Sequence, residues 1–425
     1  MVWWNGPLNV EELAGGAVRC ALTAARARAS WLSTGVGVGV GVGSEPTARG
    51  PEPISGVQTE LIAANFASIA HLSVDGRPAS GFAELSGYFR CSDGWLRTHA
   101  NFPHHRRALC EALGVDGREQ LLQTLAQNRA IEAEQAIRDA GGVAAAVRSR
   151  HEWAQSAAGR AVAADPWIRF AAGERSRRPD PRRLRVLDFT RVIAGPTATK
   201  FLAALGADVL RIDPPGMPEL LDQHLDTGAG KRSALADLNV PQTLARVMQL
   251  AADADVVMLG YRPGALARFG LDPQQLHARH PHLAVVQIDA WGDSGPWADQ
   301  RGFDSIVQAA TGIGATYRQP DGSPGALPVQ ALDHATGYGA AAAALALLER
   351  GGVAHLSLAR TAEQLFKLPA PTGAPAGLTV PIVSVEGPHG LLRQVAPLVG
   401  AVQPPGGYGA ASLQWLTGTA PATQE

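Results

Sequence analysis

The chain has 425 residues, 46% of them hydrophobic and 18% charged, with a net charge of −1. That composition belongs to a folded globular protein, and the length to two domains rather than one. A charge near zero, without long blocks of one sign, argues against nucleic acid or an anionic membrane surface as partner.

Three cysteines, Cys20, Cys91 and Cys110, stand far apart with no Cys-x-x-Cys pair. They predict neither a disulfide framework nor a zinc site. The 12 histidines never fall at metal-ligand spacing, so no metal site is expected. No apolar run reaches the roughly 18–20 residues of a membrane span. Residues 1–5 show no charged leader ahead of an apolar core, so no secretory signal is expected. The chain reads as cytoplasmic.

Residues 1–55 form an N-terminal segment with a Gly-Val repeat from Gly35 to Gly43. Glycine at every second position makes a strand entropically poor, so the repeat reads as a flexible insert and not as a phosphate loop. Residues 56–173 read as a small α+β domain. A helix is expected over 59–72, with Leu61, Ile62, Phe66, Ile69 and Leu72 on one side. A hairpin follows at 88–96, turning at Ser92, Asp93 and Gly94. Helices are then expected at 104–113, 119–127, 130–139 and 151–159. The paired His104 and His105 read as a solvated face. Residues 174–183, basic and proline-containing, read as a solvated linker.

After the linker the rhythm becomes that of an α/β domain spanning 184–350. Strands are expected at 184–189, 207–213, 255–260 and 283–289, with helices at 197–205 and 242–252. Strands separated by helices imply parallel pairing and right-handed crossovers. The continuous apolar strand at 256–259 implies a sheet covered on both faces. Ligands bind such sheets at the carboxyl ends of the strands. The loops at 190–196, 214–216, 260–264 and 290–296 are therefore the candidates. An alanine-rich helix is expected at 334–350. Residues 351–425 read as a return segment, with a strand at 353–358, a helix at 360–367 and a Pro/Gly-rich tail. Disorder is expected over roughly the final ten residues.

Asp333 opens the alanine-rich helix, and two readings stand. It can cap the helix, its carboxylate accepting backbone N–H groups two or three residues on. It can also be a nucleophile that attacks an activated acyl group. Lys231 and Arg232 follow a Gly-Ala-Gly turn, which suits either a phosphate contact or a solvated turn. Tyr261, Arg262, Ala265 and Arg268 follow a strand's carboxyl end and open a helix, where free N–H groups favour an anion. Arg301 stands in a loop before Phe303 and Asp304. No Gly-x-Ser-x-Gly or Walker pattern occurs.

Several segments, in order, resemble the class III coenzyme A transferases, of the carnitine dehydratase/formyl-CoA transferase type. They are Val-Leu-Asp-Phe-Thr-Arg-Val-Ile-Ala-Gly-Pro at 186–196, Leu-Gly-Ala-Asp-Val-Leu-Arg-Ile-Asp-Pro-Pro-Gly at 205–216, and Gly-Lys-Arg-Ser at 230–233. Arg-Pro-Gly-Ala-Leu-Ala-Arg-Phe-Gly-Leu at 262–271, Gly-Phe-Asp at 302–304 and Leu-Asp at 332–333 continue the series.

The resemblance implies a doubly wound, mainly parallel domain that holds coenzyme A, with a smaller α+β domain. It implies a transferase of the EC 2.8.3 type that moves coenzyme A between an acyl-CoA and a small carboxylic acid. No permanently bound cofactor is implied; coenzyme A and acyl-CoA are substrates. Asp333 would form acyl-aspartyl anhydride and aspartyl-CoA thioester intermediates, and backbone N–H groups near Gly337 and Gly339 would hold a developing oxyanion. Coenzyme contacts fall on Arg191, Val192, Ala194, Lys231, Arg232, Tyr261, Ala265, Arg268 and Arg301. A homodimer is implied. The segment resembling the family's small domain precedes the large one here, so the order looks permuted. Two other readings remain: a non-catalytic CoA-binding protein, and an α-methylacyl-CoA racemase. The second lacks one base, because Phe303 stands where the racemases place a histidine.

Overall fold

The computed structural model describes residues 3–32, 59–174, 183–373 and 376–416. The Gly-Val repeat, nearly all of the expected linker and the last nine residues lie outside the described residues. Among the described residues no helix is long and apolar enough to cross a membrane.

A seven-stranded sheet organises the molecule. Its strands are β1 (Ile168–Ala172), β2 (Arg185–Phe189), β3 (Asp208–Asp213), β4 (Arg232–Leu235), β5 (Val256–Leu259), β6 (Ala284–Asp289) and β7 (Gly352–Ser357). The spatial order is β1-β7-β6-β5-β2-β3-β4. All neighbours pair in parallel except β1, which runs antiparallel along β7. The sheet is thus the doubly wound α/β sheet that the strand–helix rhythm predicts. The antiparallel edge strand is new, and it precedes the 184–350 stretch in the chain. Its own segment is too short and too exposed to announce itself.

Alternate side chains along each strand go to opposite faces. Val186, Val256, Met258 and Val286 join one core, while Leu187, Val257, Leu259 and Val285 join the other. That two-sided burial is why these strands read as continuous apolar runs.

On the first face lie helices α1 (Val10–Ala27), α2 (Ala194–Ala204) and α4 (Ala331–Leu347). Every residue of α4 except Ala346 is buried. Its alanines leave room for close helix approach, and α1 fills that room. Val10, Leu13, Ala14, Ala17, Val18, Ala21, Leu22 and Ala25 form the buried stripe of α1, spaced by three and four residues. Asn9 caps it, its side chain accepting the Glu12 N–H at 3.1 Å. Helices α3 (Asp304–Thr311) and α5 (Leu358–Lys367) complete this layer.

Residues 85–146 have their own small core. Strands Gly87–Arg90, Trp95–Thr98 and Ala144–Ala146 form an antiparallel sheet. It packs with helices Pro103–Leu113, Arg118–Gln127 and Ala130–Asp139 around Phe89, Leu96, Leu109, Leu121 and Ile137. The helix expected at 151–159 is two helices, Arg150–Gln155 and Ala157–Ala163. They break at extended Ser156, whose side chain caps the second by accepting the Gly159 N–H. The expected helix at 59–72 ends at Phe66 and continues as a 3₁₀ turn, Ser68–His71. The tail is more ordered than its composition predicts. Ile382–Gly387 and Gly390–Val395 form a hairpin that pairs with Ser73–Val74. Beyond it, Ala411 N–H donates to Ser233 O at 2.8 Å, so the chain runs along β4.

Candidate active site

The sheet's direction of winding reverses between β2 and β5. The chain goes from β2 outward to β3 and β4, then returns to place β5 on the other side of β2. Loops leaving the carboxyl ends of β2 and β5 therefore diverge and leave a crevice. A cavity of about 500 Å³ lies there. Phe189, Arg191, Val192 and Ala194 line it from the β2 loop, and Gly260, Tyr261, Arg262, Ala265 and Arg268 from the β5 loop. Asp289, Ala290, Arg301 and Phe303 add a third side, and Asp333 faces in from α4.

A buried ionic cluster sets the β2 loop. Asp188, the last residue but one of β2, is fully buried, and its carboxylate accepts Thr190 N–H at 2.9 Å, Thr190 Oγ1 at 2.5 Å and Thr199 Oγ1 at 2.6 Å. This folds the chain sharply into α2. Gly195 is required at that fold, because a Cβ there would meet Thr190 Cβ at 2.2 Å. Val192 sits at φ 67°, a strained position for a β-branched residue. Its N–H is held by Glu219 Oε2 at 2.8 Å. Glu219 in turn faces Arg211 at 3.0 Å and Arg191 at 3.7 Å. Burial alone would raise the Glu219 pKa, but Arg211, Arg191 and two backbone N–H donors outweigh it and leave the group lowered. Ile193, the residue before α2, gives no side-chain cap, so the N–H groups of Ala194 and Gly195, both residues of the cavity wall, have no side-chain cap from it.

Lys231 and Arg232 do not line the cavity. Lys231 is 4% exposed, and its Nζ donates to Thr199 Oγ1 at 2.9 Å, Pro196 O at 3.3 Å and Asp188 Oδ2 at 3.4 Å. It holds the β2 loop from beneath. Arg232 bonds Asp208 at 2.6 Å and Gln414 O at 2.8 Å, tying the C-terminal segment to the sheet edge. The remaining expected contacts, Arg191, Val192, Ala194, Tyr261, Ala265, Arg268 and Arg301, come together around one space with Asp333. Tyr261 is neutral there, since burial pushes its hydroxyl up to about 12.

Asp333 stands third in α4, inside the first turn. The cap comes from another helix. Asp304, the first residue of α3, accepts the Asp333 N–H at 3.0 Å on Oδ2 and is bonded by Gln308 Nε2 on Oδ1. Among the described residues the Asp333 carboxylate itself has no hydrogen-bond partner. Burial raises its pKa well above the usual carboxylate range, and the Asp304 charge raises it further. Asp304 is pushed up to about 6 by burial, against the pull of Gln308, two backbone N–H groups and Arg97. Gly337 and Gly339 lie inside α4, where N–H groups serve the helix ladder. They act by size instead: a Cβ at Gly337 would meet Ala194 O at 2.4 Å, and one at Gly339 would meet Trp167 at 2.9 Å. The oxyanion role expected of them is therefore not available to their backbone.

One wall of the cavity comes from residues 102–105, which no local sequence pattern marks as a site. Phe102, His104 and His105 line the cavity; His104 is exposed, as a solvated face predicts, and His105 is not. His105 is 4% exposed. The cause is aromatic packing: the Phe303 ring stacks face-on against His99 at 3.7 Å between centroids and meets His105 edge-on at 5.6 Å. The local signal is Pro103, which marks the head of the helix and not a site.

A family model described as CoA-transferase family III matches residues 57–172 and 182–372. A Mycobacterium tuberculosis protein, probable fatty acyl-CoA transferase Rv3272, is 37% identical over 188 residues, covering 40% of this chain and 48% of its own. The succinate–glutarate CoA-transferase of Agrobacterium fabrum is 35% identical over 192 residues, covering 41% of this chain and 48% of its own. A crystal structure of Rv3272 aligns over 46% of this chain and 58% of that one, at 32% identity and a TM-score of 0.41. The chain thus spans about half the length of the curated relatives it matches.

Proposed function

The chain belongs to CoA-transferase family III, and from that membership we propose that it moves coenzyme A between an acyl-CoA and a carboxylic acid, with Asp333 as the nucleophile. One observation carries the reading. A buried carboxylate without a hydrogen-bond partner lines the crevice at the sheet's switch point, among Arg191, Arg262, Arg268 and Arg301. The guanidinium groups and the open start of α2 suit the phosphates of coenzyme A.

The steps balance without added reagents. The Asp333 carboxylate attacks the thioester carbonyl; the C–S bond breaks, and coenzyme A leaves as thiolate from an acyl-aspartyl anhydride. The thiolate then attacks the aspartyl carbonyl and releases the donor acid as carboxylate. An acceptor carboxylate attacks the resulting aspartyl-CoA thioester; the C–S bond breaks, and the thiolate leaves from a second mixed anhydride. The thiolate then attacks the acceptor's carbonyl, the anhydride C–O bond breaks, and Asp333 is released as carboxylate with the new acyl-CoA. No net proton moves. Asp333 attacks only when ionised, so its raised pKa reserves activity for higher pH. Burial also strips the carboxylate of water, and the crevice can hold carbonyl and carboxylate in line, worth up to ~7–11 kcal/mol of barrier.

A racemase would need a titratable group at position 303, and Phe303 instead stacks on His99. A non-catalytic CoA-binding protein would form no covalent adduct. Incubation with a panel of acyl-CoAs, hydroxylamine trapping and peptide mass spectrometry decide between the readings. An acyl or hydroxamate adduct on Asp333 is expected, and none with any acyl-CoA sinks the transferase reading. The proposal extends to a cytoplasmic homodimer, tested by sedimentation velocity and cell fractionation. It also extends to a division in which residues 56–173 act as the small module and 184–350 as the CoA-binding one.

A further inference from the structure

The helix Pro103–Leu113 begins without a cap. Phe102 precedes it in extended conformation and gives no side-chain bond. Pro103 has no N–H, and the Arg106 N–H returns to Phe102 O at 3.0 Å. The first-turn N–H groups of His104 and His105 are left as the orphan donors of that end. An uncapped helix start alone defines no site. Here a second feature coincides with it: the His105 side chain is 4% exposed, and its Nδ1 has no hydrogen-bond partner. The ring is framed by His104 at 4.1 Å, Phe303 at 5.6 Å, Phe102 at 5.7 Å and His99 at 6.0 Å between centroids. These neighbours fix the ring, and its Nδ1 is bonded to none of them.

The surroundings select the sign of the ligand. Arg191 and Arg301 line the same cavity and, after burial and the neighbouring imidazoles, help hold His105 down to about 3. His105 is therefore a neutral imidazole with one N–H donor. Neutral donor, helix N-terminus and nearby guanidinium groups all favour an anion. Position selects which anion. The His105 ring abuts Phe303; the next residue, Asp304, holds the backbone N–H of Asp333 at 3.0 Å. The site is beside the reacting carboxyl, where acyl groups exchange, and its phenyl rings suit the hydrocarbon body of an organic acid.

We propose that His105 and the first turn of its helix hold the carboxylate of the acyl acceptor beside Asp333. The inference rests on the transferase reading given above. In the third step the held carboxylate's free oxygen attacks the aspartyl-CoA carbonyl; the C–S bond breaks, the thiolate leaves, and no proton moves.

The test uses the full chain, with the acceptor acid varied across acetate, succinate and glutarate and the acyl-CoA held saturating. His105→Phe keeps the packing and removes the donor. It is expected to raise the acceptor KM on the order of 10- to 100-fold, the loss of a hydrogen bond to a charged group. The acyl-CoA KM should change less than about threefold. His105→Gln restores a donor and should recover most of the acceptor affinity. In the wild type, the ring signals of His105 should shift in an NMR titration with acetate, and less with coenzyme A alone. An acceptor KM that is unchanged in His105→Phe overturns the proposal. So does a larger rise in the acyl-CoA KM, or a His105 shift produced by coenzyme A or inorganic phosphate but not by acetate. An adduct on wild-type Asp333 alongside any of these results leaves the transferase reading standing and removes this one alone; a wild type without any adduct removes both.

Discussion

Two buried acidic groups lie within one shell of the crevice and have opposite environments. Asp188 is fully enclosed, and every neighbour answers it: two threonine hydroxyls, a backbone N–H and the Lys231 ammonium. Asp333 is nearly as enclosed, with another aspartate as its electrostatic neighbour and no donor on its oxygens. A satisfied buried charge is a structural device, and one left unsatisfied at a cavity wall is a store of reactivity. The same contrast separates the cations. Lys231 belongs to the first environment, while Arg191 and Arg301 face the cavity.

Asp333→Asn breaks the comparison most severely. Turnover should fall on the order of 10³-fold or more, because amide oxygen is a poor nucleophile. Stability should hold or rise by up to ~1 kcal/mol, since a costly buried carboxylate is gone. Steady-state assay beside urea unfolding checks both. A protein that loses activity and several kcal/mol together would place Asp333 among the structural acids.

Lys231→Met is the mirror experiment. It strands Asp188 without its cation, and a loss of about 3–5 kcal/mol is expected in urea unfolding. Adding Asp188→Asn should return part of it. The acyl-CoA KM should rise as well, because the β2 loop rests on this pair. Normal stability with a weakened KM would return Lys231 to the phosphate contacts.

The pH dependence sharpens the contrast further. Asp304 titrates near 6 in the folded protein, and Asp333 also lies above its unfolded value near 3.8. The folded state therefore holds these protons more tightly than the unfolded one. The stability they contribute is full below about pH 3.8 and is lost as pH rises through their folded values. Activity should move the other way over the same window, since Asp333, as the proposed nucleophile, would have to ionise to attack. Asp304→Asn removes the like charge, so the acid limb of kcat should move to lower pH while the stability profile flattens. An unmoved limb would mean that Asp304 does not tune Asp333.

The legible parts of this molecule were local ones. The strands at 186–189, 256–259 and 284–289 announced themselves because burial on both faces leaves an unbroken apolar run. Asp333 was visible because a helix start is a local pattern. What escaped depends on partners distant in sequence. Asp304 caps a helix that begins 27 residues later, and no spacing rule connects the two. Helix α1 makes sense only against the alanines of α4, and Gly15 and Gly16 blur its own pattern. The hairpin at 382–395 is stabilised by a strand more than 300 residues earlier. His105 is not legible as buried, because the Phe303 ring packed on it comes from nearly 200 residues later in the chain.

Arg232→Gln gives the smallest effect and the finest distinction. The guanidinium is partly exposed, with its side chain 22% accessible, so its bond to Asp208 contributes no more than about 1 kcal/mol. It also donates to Gln414 O, and Asp208 receives the Leu416 N–H at 2.8 Å. The arginine therefore fastens the 411–416 segment against β4, on the edge of the sheet away from the crevice. The acyl-CoA KM of the variant should stay within about twofold, while amide exchange at Ala411 and Leu416 should quicken by roughly the same ~1 kcal/mol. A tenfold rise in KM with unchanged exchange would show that a residue placed on the outer edge still reaches a phosphate, and the division between the two kinds of buried charge would have to be drawn elsewhere.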